Sequence, residues 1–228
     1  MDIRSITNDA LWAFTQIGYL KPQRSKNGKL YYLMLKDGKK WPKRKEEIEM
    51  KNKLMWYVCY GSNLCFDRFK CYITGEGCSK YNIEPKDDRT CEDQTLPSKT
   101  RAVIIPYELY FDHCSKGWKG SSVAFIDPYK EGKTVGRAYL VTEQQFEHIM
   151  KHECSNGKHK PDPHDLYGHV VDLGIIDGYP AKTFTRFERK GARHKVRKEY
   201  RKCMMDGLKE VGLSEEDAKA YLAINLKH

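Results

Sequence analysis

The feature that most constrains this chain is an apolar run, Leu54 to Tyr60 (LMWYVCY), that stops at Gly61-Ser62-Asn63 and passes into a helix-patterned segment, Leu64 to Tyr72. An apolar, aromatic-rich run ended by turn residues reads as a strand. Gly61 lets the backbone turn sharply and bring its amides close to a ligand, and a helix that follows adds unpaired N–H groups and a positive dipole end. A strand, turn and helix in this order suit an anion or a carbonyl oxygen, and Ser62 and Asn63 either bond that ligand or brace the loop. Gly, Ser and Asn also fill ordinary turns for backbone reasons alone, so this turn acquires meaning only from its surroundings.

The residues after it alternate strand and helix signals. Ala102 to Phe111, Ser122 to Ile126, Val135 to Val141, Gly168 to Leu173 and Ala181 to Phe187 are rich in β-branched and aromatic residues and are expected strands. Glu143 to His152, Arg193 to Leu208 and Ser214 to Ile224 are expected helices. The last begins with Leu213-Ser214-Glu215-Glu216-Asp217, a hydrophobic residue, a Ser cap and an acidic residue three positions later. Residues 75–99 are polar, with Gly, Pro and Asp, and read as a long loop of the kind that covers a site.

The 228 residues suffice for one ordinary domain plus an appendage, and a composition that is 39% hydrophobic and 12% aromatic can build a core despite a mean hydropathy of -0.75. The appendage is residues 1–53, a basic N-terminal extension. Within it Ile6 to Ile17 carries Leu11, Trp12, Phe14 and Ile17 at near-helical spacing, Lys29 to Leu35 reads as a strand before an Asp37-Gly38 turn, and Trp41 to Lys53 reads as a surface helix or linker. The net charge is +10, and residues 20–53 hold 12 Lys/Arg against 4 Asp/Glu, which concentrates eight of those ten charges there. Weak polyanion binding is therefore expected of residues 20–53, with Trp41 and the Tyr31-Tyr32 pair as stacking surfaces, although no nucleic-acid reader motif accompanies them. No secretion signal opens the chain and no run of eighteen apolar residues occurs, so the expected location is the cytoplasm, away from membranes. The eight cysteines are then expected to be mostly reduced thiols.

The segment WYVCYGSNLCFDRF resembles the opening of the γ-glutamylcyclotransferase (AIG2-like) family, whose first strand delivers a YGSN loop to the active site; Tyr60, Gly61, Ser62, Asn63 and Leu64 match it residue for residue. The order of later segments is also similar: Gly117-Trp118-Lys119-Gly120 before a strand, then Gly136-Arg137-Ala138-Tyr139-Leu140, then Thr142-Glu143-Gln144-Gln145-Phe146 opening a helix that ends at His152-Glu153. Glu153 stands where the family has its acid/base glutamate, and Tyr167 stands near the start of the next strand, where a Tyr is usual. The chain departs from the family at Cys154, in place of a common Gly, and in the long polar stretch to Asp165. Glu143 and Glu147 are alternative carboxylates on the same helix, at positions better suited to capping and solvent.

The resemblance covers residues 54–228. It implies an α+β fold, a small mixed β-barrel-like sheet with flanking helices behind the short extension. It implies an enzyme that cleaves a γ-glutamyl amide or peptide by attack of the substrate's own α-amine, releasing 5-oxoproline and a free amine without metal or cofactor. Glu153 would be catalytic, and Tyr60, Gly61, Ser62, Asn63, Leu64 and Tyr167 would bind substrate. Two other uses of the same scaffold stand beside this one: a non-catalytic small-ligand module with the basic extension as a partner-binding arm, or a γ-glutamyl acyl transferase that takes an external amine.

Two further patterns carry less. His148 and His152 have zinc-protease spacing, and Cys154, His159 and His164 offer other ligands, but the metalloprotease pattern needs Glu where Ile149 stands. The basic run Arg186 to Arg201 reads as a solvated helix face. Nothing in the sequence sets an oligomeric state.

Overall fold

The computed structural model describes residues 20–24, 30–34, 54–76, 90–153, 165–191 and 194–226. In the extension these are two strands, β1 (Leu20–Arg24) and β2 (Leu30–Met34), paired antiparallel from Leu20↔Met34 to Arg24↔Leu30. β2 falls within the strand expected from Lys29 to Leu35; the expected helix over Ile6 to Ile17 and the stretch from Trp41 to Lys53 lie outside the described residues.

The main sheet has five strands, β3 (Leu54–Cys59), β4 (Thr100–Ser115), β5 (Ser121–Thr142), β6 (His169–Ile176) and β7 (Tyr179–Thr185), in the spatial order β4-β5-β3-β7-β6. It is mixed, since β3 runs antiparallel to β5 and parallel to β7. The helices α1 (Phe66–Ile73), α2 (Glu143–Glu153), α3 (Lys198–Glu210) and α4 (Glu215–Asn225) flank it. The fold class is the expected one, a mixed sheet with flanking helices.

β3 lies at the centre of this sheet, which accounts for its unbroken apolar sequence. Trp56, Val58 and Tyr60 enter a core shared with Tyr200, Met204 and Leu208 of α3 and Ala218 and Leu222 of α4. Met55, Tyr57 and Cys59 enter a second core with Phe69, Tyr72 and Ile73 of α1 and Phe146 and Ile149 of α2. A strand covered on both faces needs apolar side chains at every position, not at alternate ones.

The two strands expected over Ser122 to Ile126 and Val135 to Val141 are halves of one 22-residue strand, β5. β4 follows it with register shifts at Ile105/Tyr107, Tyr107/Glu108 and Asp112/Ser115. Such bulges bend and twist a ribbon, and the far half of β5 curls over until Ile126 meets β7. There the Ile126 amide donates to Thr185 Oγ1 at 3.2 Å, and that hydroxyl donates to the Ile126 carbonyl at 2.6 Å. This curl gives the sheet its barrel-like form.

Helix starts follow local chemistry, with one correction. Ser214 caps α4 by accepting from the Asp217 amide at 3.0 Å, as its sequence predicts. α2 begins with a reciprocal cap: Thr142 Oγ1 accepts from the Gln145 amide at 3.2 Å while Gln145 Oε1 accepts from the Thr142 amide at 3.1 Å. α3 starts at Lys198 instead of Arg193, so most of the basic run precedes the helix. That part is tied to the start of β5, where Ser122 Oγ accepts from the His194 amide and Ser121 Oγ from the Arg197 amide, both at 2.9 Å.

Among the described residues no helix is long and apolar enough to cross a membrane. Cys59, Cys65, Cys91, Cys114 and Cys203 are free thiols, whereas Cys71 is disulfide-bonded.

Candidate active site

The chain leaves the end of β3 at Tyr60, turns at Gly61 and makes a short 3-10 turn over Ser62–Leu64 before α1. Each carbonyl of that turn is taken up by the protein. Gly61 O accepts from the Leu64 amide and Ser62 O from the Cys65 amide, both at 3.1 Å. Ser62 O also accepts from Cys203 Sγ at 3.3 Å, Asn63 O from the Tyr139 hydroxyl at 3.0 Å, and Leu64 O from Arg137 Nη1 at 3.0 Å. Arg137 is ion-paired with Glu210, whose Oε2 also accepts from the Phe66 amide at 2.9 Å. The Ser62 amide faces the Tyr200 hydroxyl, and amides at the start of such a turn have no intrahelical acceptor.

Two glycines permit this packing. A Cβ on Gly207 of α3 would lie 2.4 Å from the Cys65 nitrogen and 2.5 Å from Leu64, so only glycine lets the helix press on the turn. A Cβ on Gly61 would lie 2.9 Å from the Tyr200 hydroxyl, which is itself held by the Ala124 amide at 2.9 Å.

The turn borders a cavity of about 230 Å³ whose wall includes Tyr60, Gly61, Ser62, Asn63, Glu153 and Tyr167. Leu64, the remaining expected binding residue, is wholly buried in the core and does not line this cavity. The Tyr60 hydroxyl is spent on the β7 backbone, donating to the Phe184 carbonyl at 2.5 Å. The Tyr167 hydroxyl donates to the Ala124 carbonyl at 3.0 Å, and its ring stacks on Phe125 with centroids 4.9 Å apart. Both hydroxyls are therefore engaged by backbone carbonyls.

Glu153 reaches the turn from the last residue of α2. Asn63 Nδ2 donates to its Oε1 at 3.2 Å and to the Tyr57 hydroxyl at 3.0 Å. Tyr72 donates to the same Oε1 at 2.5 Å, and Arg68 Nη2 donates to Tyr72 Oη at 2.7 Å. Glu143, the alternative carboxylate at the helix start, and Glu147 in its middle are both exposed and do not line the cavity. His148 and His152 have ring centroids 4.6 Å apart, and only His152 touches the cavity; Cys154, His159 and most of the polar stretch after them lie outside the described residues.

Sequence reasoning missed Tyr57, Arg68, Tyr72, Trp118 and Tyr200, all of which line the cavity. Arg68 and Tyr72 left one trace, a four-residue spacing that puts them on one face of α1. Tyr57 left none, because it belongs to the same apolar run as its neighbours. Burial raises the pKa values of Tyr57, Tyr60, Tyr167 and Tyr200, so these phenols remain neutral. The cavity thus combines aromatic walls, a buried cation, one carboxylate and the Gly61–Asn63 turn. It suits a small polar molecule that has a carbonyl to be polarised and a proton to be moved.

No protein-family model matches the chain. Among curated proteins it is similar to Histone deacetylase 5 of Arabidopsis thaliana, with 28% identity over 206 residues, covering 74% of this chain and 30% of that protein. The chain thus spans under a third of that protein's length. Among solved structures it is similar to a gamma-glutamyl cyclotransferase, with 14% identity, 73% of this chain and 87% of that one covered, and a TM-score of 0.45. It is also similar to an uncharacterized Homo sapiens protein (16% identity, 74% and 88% covered, TM-score 0.44) and to YkqA of Bacillus subtilis (18%, 96% and 77%, TM-score 0.47).

Proposed function

We propose that this chain is a γ-glutamylcyclotransferase-like enzyme that converts a γ-glutamyl amide or peptide to 5-oxoproline and a free amine. The observation that carries the reading is a juxtaposition of residues 90 positions apart: Asn63 of the turn donates to Glu153 Oε1 at 3.2 Å at the edge of one cavity. A turn that offers amides and a carboxylate that moves protons are the two parts this reaction asks for.

In the proposed reaction the substrate's γ-carbonyl oxygen lies against the amides of Gly61 and Asn63, which bind the negative charge that develops there. The α-ammonium gives a proton to Glu153, and the freed nitrogen lone pair attacks the γ-carbonyl carbon. As the intermediate collapses, the new lactam C–N bond is kept, the old amide C–N bond breaks, and Glu153 returns its proton to the departing nitrogen. The second proton shed by the attacking nitrogen passes to solvent or to the released amine. Both reacting ends belong to one molecule, so folding it into the cyclising conformation contributes up to about 7–11 kcal/mol. The aromatic walls, including Tyr60 and Tyr167, supply that confinement.

The test is 5-oxoproline release from a panel of γ-glutamyl dipeptides and amines by wild type and Glu153→Gln, with circular dichroism on both. Release by wild type and a loss of roughly 10²–10⁴-fold in the folded variant supports the reading. No release from any substrate removes it in favour of a ligand-binding module, and release that depends on an added acceptor amine in favour of acyl transfer.

A further inference from the structure

Arg68 and Tyr72 occupy one face of α1, and neither is among the site residues expected from the sequence. Tyr72 donates its proton to Glu153 Oε1 at 2.5 Å, within the range of a hydroxyl bonded to an ionised carboxylate. Its oxygen in turn accepts from Arg68 Nη2 at 2.7 Å, and the guanidinium carbon lies 4.5 Å from the centre of the Tyr72 ring. The donor polarised by a cation is therefore the donor that faces the carboxylate.

Arg68 is 5% exposed, and its Nε and Nη1 are enclosed with no hydrogen-bond partner. A buried cation that bonds only a neutral phenol is costly unless an opposite charge stands close by. Glu153, one hydrogen bond further along, is that charge. Burial by itself lowers the pKa of Arg68, but Tyr72 and Glu153 beside it raise it overall. Both hydrogen bonds that the described residues give to Glu153 end on the same atom, Oε1, from Tyr72 and from Asn63.

We infer that Tyr72 and Arg68 are positioning residues for the reaction proposed above: they hold Glu153 by Oε1 and leave Oε2 to exchange the proton with the substrate nitrogens. The inference rests on that functional reading for its kinetic consequence, but the clamp itself does not. Both residues line the cavity outside the turn that receives the carbonyl, and a clamp on Glu153 acts on the chemical step, which a split between kcat and KM separates from substrate capture. A carboxylate freed to swing by about an ångström loses proton-transfer geometry worth roughly a hundredfold in rate.

The experiment compares wild type, Tyr72→Phe, Arg68→Lys, Arg68→Met and the Tyr72→Phe/Arg68→Met double variant by steady-state kinetics and by proton NMR, with circular dichroism for folding. Tyr72→Phe and Arg68→Met are each expected to lower kcat by roughly tenfold to a hundredfold with KM changed less than about twofold. The double variant is expected to fall no further than the worse single, because both act through one oxygen, and Arg68→Lys to recover part of the loss. In wild type the Tyr72 hydroxyl proton is expected well downfield of the amides, absent in Tyr72→Phe and shifted upfield in Glu153→Gln. A Tyr72→Phe enzyme with wild-type kcat, or additive losses in the double variant, overturns the inference. If wild type shows no turnover at all, the functional reading fails by itself and the resonance decides the clamp: no downfield proton that responds to Glu153→Gln overturns it. Should Tyr72→Phe not fold, Arg68→Met carries the kinetic test, wild-type kcat in it overturning the inference, and Glu153→Gln carries the spectroscopic one.

Discussion

Asp112, buried, and Glu153, half-buried, are two carboxylates of this protein held in opposite ways. Asp112 of β4 is 1% exposed and both its oxygens are engaged: Oδ1 accepts from the His113 amide at 2.5 Å, and Oδ2 accepts from the Lys190 and Gly191 amides at 3.0 Å and stands 3.4 Å from Arg186 Nη1. Its partners are backbone amides and a cation, so it fastens the segment after β7 to the hairpin. Glu153 is held through Oε1 by side chains of the turn and α1, at the wall of a cavity. The difference teaches how to read a carboxylate tied into a fold: one saturated by backbone is a fastener, and one held by a single oxygen beside open space keeps capacity for chemistry.

The sharpest break of this contrast comes from removing each carboxylate. Glu153→Gln is expected to lose about 10²–10⁴-fold in turnover and to lower the melting temperature by less than Asp112→Ala does, by differential scanning calorimetry, because glutamine keeps an oxygen for Tyr72 and Asn63 and Arg68 keeps its bond to Tyr72. Asp112→Ala is expected to do the reverse. Leaving Arg186 buried without its counter-charge costs about 3–5 kcal/mol, read as a fall in denaturation midpoint, with turnover per folded molecule kept near wild type. If the stability loss went with Glu153 and the activity loss with Asp112, the distinction would fail.

Gly207→Ala tests the region where the two properties meet. Alanine is the better helix former by about 1 kcal/mol, but its methyl would press on backbone at 2.4–2.5 Å, which cannot swing aside. Overpacking of this kind costs about 1–3 kcal/mol, so the clash wins. Because the displaced atoms belong to the turn, stability and turnover are expected to fall together, checked by urea midpoint and 5-oxoproline release. The smallest effect is expected at Ser214→Ala, which removes the α4 cap far from the cavity and costs about 1 kcal/mol of stability with no change in kinetics.

The legible parts of the fold were those whose cause is local. The apolar run ending at Gly61, the Ser214 cap and the helix opening at Thr142 each announce themselves within a few residues. β5 was misread as two strands because the polar stretch between its halves, around Pro128 to Lys133, looks like a loop; its pairing with β4 across the bulge keeps it extended. α3 was expected to begin too early because the basic run has helical composition, while Ser121 and Ser122, over 70 residues away, hold that stretch out of the helix. Leu64 matched a motif whose neighbours line the cavity, yet its side chain packs into the core. Tyr72 and Arg68 were visible as letters, and nothing near them in sequence says that a carboxylate lies opposite.

By itself the sequence determined a strand, a sharp turn and a helix in the right order, a basic extension, and a helix that ends in Glu153, because caps, turns and apolar runs act over one to four residues. Only the tertiary structure decided that Glu153 is gripped by Tyr72 and Asn63, that the hydroxyls of Tyr60 and Tyr167 are turned to backbone, and that Gly207 packs against Leu64 and Cys65. Those facts depend on distances between residues tens to over a hundred positions apart, and such distances are set by how the two cores pack around β3, which no local preference encodes.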